Sequence, residues 1–166
     1  MYIFTERRTR TADNISRHAV SIMIAIGSDH AGYELKCEVI KYLKEKNIEF
    51  TELGCMNGES CDYPLVAEEV CKKVTSGEAD KAILICGTGI GISMAANKIK
   101  GIRAALCTNE YMAKYTRYHY DANVLCMGGR VIGAGVACEI TEAFLTSEFE
   151  GGRHRRRVDQ ISSLEK

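Results

Sequence analysis

The 166-residue sequence carries no net charge, because 22 Lys and Arg are matched by 22 Asp and Glu. Charge balance therefore gives no support to nucleic-acid or other polyanion binding. Apolar runs are all too short to cross a bilayer, so no membrane span is expected. The N-terminus, MYIFTERRTRTADNISRHAVSI, lacks the apolar core of a secretory signal, and Glu6 and Asp13 count against a transit peptide. Eight cysteines are present without a single C-x-x-C pair, which removes the usual spacing for a redox or zinc motif. No composition shift marks a second domain. Proline occurs only at Pro64.

What remains is 46% hydrophobic, enough for one full core. Disulfide staples are not needed at this length, and several cysteines sit in apolar runs where a free thiol acts as a small hydrophobe. A cytoplasmic protein with reduced thiols is the expectation. Met23 opens the first strand-like run, so residues 1–22 are expected to form a disordered extension and residues 23–166 a single domain.

From Met23 onward short apolar runs alternate with amphipathic stretches. Strands are predicted at 23–28, 48–54, 81–86, 102–107 and 122–127, and helices at 33–46, 65–76, 90–98, 109–118 and 134–146. Pro64 falls at a helix start, where it is tolerated. A double glycine, Gly151-Gly152, then precedes a short basic helix. Five strands alternating with helices predict an α/β fold, a doubly wound three-layer sandwich with a parallel sheet in Rossmann-like order 2-1-3-4-5. Its switch point lies between strands one and three, and ligands in such sheets bind at the carboxyl ends flanking that point.

Two unusual segments fall there. Cys86-Gly87-Thr88-Gly89-Ile90-Gly91 turns a strand into a helix, and its glycines let main-chain N–H groups approach an anion or a developing enediolate. The spacing fits neither a dinucleotide fingerprint nor a Walker loop. Cys86 beside a helix start has a setting that favours the thiolate; the plain alternative is a buried strand-end cysteine. Asp29 and His30 follow strand one. A carboxylate and an imidazole there can bind substrate or move protons, although Asp29 as a helix N-cap competes. His119 stands at a helix end, where the dipole alone would favour it. Arg153 and Arg157, four apart, share a helix face suited to a phosphate dianion, against which stands a merely solvated basic run.

Together SDHAGYELK (28–36), DYP (62–64), ICGTGIGISMAANKIKGIRAA (85–105), RYHYDANVLCMGGRVIG (117–133) and GGRHRRRV (151–158) resemble the type B ribose-5-phosphate isomerases, a family that includes the galactose-6-phosphate isomerase subunits. The resemblance implies an aldose–ketose isomerase of the pentose phosphate pathway, converting ribose 5-phosphate and ribulose 5-phosphate through a cis-enediolate. Cys86 would be the base, Thr88 would assist at the substrate oxygens, and the amides of Gly87, Gly89 and Gly91 would hold the enediolate. His119 with Asp29 would open the furanose ring, while His30, Arg130, Arg153 and Arg157 would grip the phosphate and Tyr63 would line the sugar site. The family places the pocket at a homodimer interface, with His119 and Arg130 coming from the neighbour; pairing of dimers into a tetramer is left open. No metal and no organic cofactor are implied. Tyr120 is a departure, since relatives commonly carry Asn after the histidine to contact substrate, so a six-carbon sugar phosphate is a second reading.

Overall fold

A computed structural model describes residues 22–165. The extension expected at 1–22 lies outside the described residues, apart from Ile22, which packs against the core.

Five strands form one all-parallel sheet: β1 Met23–Ser28, β2 Glu49–Gly54, β3 Lys81–Cys86, β4 Ala104–Leu106 and β5 Val124–Gly128. The helices are α1 Tyr33–Glu45, α2 Tyr63–Thr75, α3 Ile90–Ala96, α4 Glu110–Tyr120, α5 Ala134–Thr146 and α6 Arg153–Ser162. Alternate strand residues feed two cores. Ile83, Ile85, Leu125 and Met127 pack with α1 and α5, whereas Ala82, Leu84, Cys86 and Cys126 face α2 and α3. α1 is held by Leu35, Val39, Ile40 and Leu43, a helical stripe. It also buries Lys36, whose ammonium pairs with Glu52 at 2.7 Å and donates to the Cys55 carbonyl. Burial pushes the Cys71 and Cys107 thiols up to about 12 and raises Cys126 as well, so these are packing groups rather than nucleophiles.

The strand order is 2-1-3-5-4, which corrects the expected exchange-free order at one edge. All five residues of β5 are buried, so it needs a neighbour on each side, whereas the three residues of β4 are half-exposed and suit an edge. The glycine turn requires the same arrangement, because Gly89 sits 2.8 Å, measured from where a Cβ would lie, from the Met127 main chain of β5. The β1/β3 switch point is retained. On the β4 rim, the Asn97 amide closes on Ala104, accepting from its N–H at 2.9 Å and donating to its carbonyl at 2.8 Å. Among the described residues, no helix is long and apolar enough to cross a membrane.

Candidate active site

The turns after β1, β3 and β5 meet at the carboxyl edge of the sheet and are joined through main-chain hydrogen bonds. Asp29 N–H donates to the Ile85 carbonyl at 3.2 Å, Gly129 N–H to Cys86 at 2.8 Å, and Arg130 N–H to Gly87 at 3.0 Å. Gly89 takes a left-handed φ of 78°, which glycine adopts at little cost, and aims its N–H at the Cys86 sulfur, 3.1 Å away. Cys86 is 4% exposed, which limits access of bulk water to the sulfur. Thr88 is exposed at the crest of the turn, its hydroxyl accepting from Ile90 N–H at 3.3 Å.

Around this turn stand most of the residues singled out from the sequence. Asp29 is buried and caps the short 3-10 turn His30–Gly32 by accepting from Gly32 N–H at 3.0 Å, so the capping role is real. His30 beside it is exposed. Tyr63 opens α2 and lays its ring against Gly91, 2.8 Å from where a Cβ would be. Arg130 extends over Gly87 of its own chain, its Cδ 3.7 Å from that glycine's Cβ position. Arg130 therefore stands beside the glycine turn of its own chain.

The other candidates lie at the opposite end of the sheet. α4 starts near the carboxyl end of β4 and runs antiparallel to the strands, so its last turn, with His119 and Tyr120, reaches the amino end of β5. Eleven helical residues at about 1.5 Å each separate the two levels by roughly 15 Å. Asp121, clamped by Arg117 at 2.9 Å and Arg103 at 3.2 Å, anchors that turn. Glu150 N–H donates to the Tyr118 carbonyl at 3.1 Å, and Gly151 and Gly152, both at positive φ, fold α6 back over α4. Arg153 and Arg157 are thus exposed beside His119 and far from their own Cys86.

Sequence reasoning missed two members of this second group. His154 stacks flat on His119, with ring centroids 4.1 Å apart and planes 7° off parallel, and Glu150 lies 3.7 Å from His154 and 4.0 Å from His119. His154 was legible only as part of a basic run; its contact with His119 is tertiary. Burial, then His119 and Arg153, push the His154 imidazole below its ordinary value. The three ligand-type atoms lie within 4.8 Å of one another. Parallel rings share no common plane point for a cation, however, and Arg153 adds positive charge, so the cluster is a poor metal cage.

Between the two ends a groove of about 990 Å³ follows the β4 rim, lined by Leu106, Tyr111, Met112, Tyr115, Ile161 and Leu164 among others. Cys86 does not line it.

A family model described as Ribose/Galactose Isomerase matches residues 24–161. The chain belongs to this family. As a family member it is an isomerase. Ribose-5-phosphate isomerase B of Escherichia coli is 47% identical over 142 residues, 86% of this chain and 95% of that protein. Ribose-5-phosphate isomerase B of Clostridium thermocellum superposes with a TM-score of 0.85 at 51% identity, covering 87% of this chain and 97% of that one. The type B ribose 5-phosphate isomerase of Trypanosoma brucei gives a TM-score of 0.85 at 42% identity, covering 88% and 100%.

Proposed function

We propose that this isomerase interconverts ribose 5-phosphate and ribulose 5-phosphate, with Cys86 as the base. Only the open-chain aldose has a carbonyl, so the furanose must first be opened, the role of His119 assisted by Asp29. The Cys86 thiolate then takes the proton from C2. The resulting cis-enediolate is held by the N–H donors of the glycine turn, with Thr88 at its oxygens, and the proton returns to C1 to give the ketose. His30 and Arg130 from one end, with Arg153 and Arg157 from the other, hold the phosphate.

These roles demand two copies of the chain. A five-carbon phosphate, built from bonds of about 1.5 Å, spans roughly 8 Å, half the separation between the two groups. A homodimer in which one subunit's His119 end meets its partner's Cys86 end completes two equivalent sites, and the apolar groove along β4 offers the partner a surface. The observation that carries the reading is the Cys86 sulfur facing a main-chain donor in a glycine turn at the switch point.

A coupled assay with ribose 5-phosphate tests it. Cys86→Ala is expected to abolish turnover while leaving substrate binding largely intact, and near-normal turnover removes the proposed base. Tyr120, half-exposed beside His119, motivates the six-carbon alternative, and kcat/KM compared across five- and six-carbon substrates decides between them.

A further inference from the structure

We infer that Glu150 and His154 are positioning residues for His119, fixing the plane of its imidazole and the nitrogen that carries its proton during ring opening. The inference rests on the ring-opening role proposed for His119. It uses residues to which neither the family motif nor the mechanism above gives a task.

The argument begins with His154. Arg153 Nε donates to His154 Nε2 at 3.4 Å, so that nitrogen presents its lone pair and the proton sits on Nδ1. At 5% exposure, burial first and then His119 and Arg153 hold this ring's pKa below its ordinary value. It is a flat platform against which His119 lies in parallel, so a side chain that is 28% exposed has one preferred ring plane. Tyr115 meets the His119 ring in an edge arrangement, 5.1 Å between centroids, and Tyr120 stands 6.0 Å off.

Because His154 Nε2 has no proton to offer, the Glu150 carboxylate is left for His119. Its Oε2 stands 4.0 Å from His119 Nε2, about one ångström beyond a hydrogen bond and within ion-pair range. A carboxylate there draws the proton to Nε2 and turns the Nδ1 lone pair outward, the arrangement by which an acid orients a working histidine. The positive charges nearest this pair are the guanidinium groups of Arg153 and Arg157, which act on His154 from α6. Glu150 is the one acidic group among the described residues that ion-pairs with His119, and it offsets them. Its place is set by main chain, through the Tyr118 carbonyl and the two glycines that follow.

The substrates themselves supply the test. Ribulose 5-phosphate has its carbonyl at C2 and its 5-oxygen phosphorylated, so the remaining hydroxyls are too near to close a furanose and no ring opening is needed in that direction. Glu150→Gln in the intact protein is expected to lower kcat with ribose 5-phosphate about tenfold to a hundredfold, the range for loss of an orienting partner. It should lower the KM for that substrate in step, because unopened furanose then occupies the site unproductively and the overall equilibrium constant fixes the ratio of kcat/KM in the two directions. KM and kcat for ribulose 5-phosphate should stay within about twofold. His154→Phe keeps the flat platform and should retain most of the forward rate, whereas His154→Ala should lose it in the forward direction only. Equal losses in both directions, or none with Glu150→Gln, overturn the inference. The reverse rate also reports folding and assembly. A wild-type protein inactive on either pentose phosphate would instead remove the reading beneath it.

Discussion

Separation of Cys86 from its own His119 gives a quantitative expectation for mixed dimers. Cys86→Ala removes the proposed base from one end of a subunit and His119→Ala removes the proposed ring-opening group from the other, roughly 15 Å away along α4. In the proposed homodimer, each variant alone leaves both sites damaged. In a mixed dimer, the intact Cys86 of one subunit faces the intact His119 of the other, while the second site carries both lesions. A purified mixed dimer, selected through two different affinity tags, should therefore show about half the wild-type turnover of ribose 5-phosphate, and a randomly paired sample about a quarter. The assay is the rate of ketose formation at saturating aldose phosphate, with size exclusion confirming the dimer. If both side chains of a site came from one subunit, mixing would restore nothing. A mixed dimer no more active than the mean of its two parents refutes the composite site.

Gly89→Ala places a methyl group against Leu106 and the Met127 main chain at a φ of 78°, and should cost about 1–3 kcal/mol in chemical denaturation along with activity. Gly91→Ala meets only the movable Tyr63 ring, so it should raise KM with little loss of stability. Lys81, its pKa lowered to about 8 chiefly by burial and then by Arg117, is a folded-state cost while charged. Between pH 8 and its ordinary 10.5 the unfolded chain binds the extra proton, so stability rises with pH in that window. The stability of Lys81→Met relative to wild type should therefore be higher at pH 7 than at pH 10 by roughly 1–2 kcal/mol, after discounting for partial exposure. A pH-independent difference in urea melts would contradict this.

The sequence pattern located β1, β3 and α5 to the residue, the two strands as short continuous apolar runs and α5 as a longer apolar stretch. The edge order was not legible, since right-handed crossovers allow either placement of β4. What decides it is the contact between the Gly89 turn and β5, which no local pattern encodes. The Cys86 turn and Asp29-His30 were found together because strand–glycine–helix punctuation and the switch-point rule are local signals. The second half of the candidate site was visible residue by residue in His119, Arg153 and Arg157, but its distance from Cys86 was not. That distance follows from α4 running its whole length antiparallel to the strands, so that its last turn lies at the amino end of β5. Glu150 and His154 went unread because their partner, His119, lies more than thirty positions upstream.

Asn97 spends the hydrogen-bonding capacity of Ala104 on its own side chain. A strand arriving from another molecule finds no free rung at that position, so growth of the sheet from chain to chain into a fibril is blocked there. Any contact along that flank then falls to the rings and aliphatic side chains of the groove beside it.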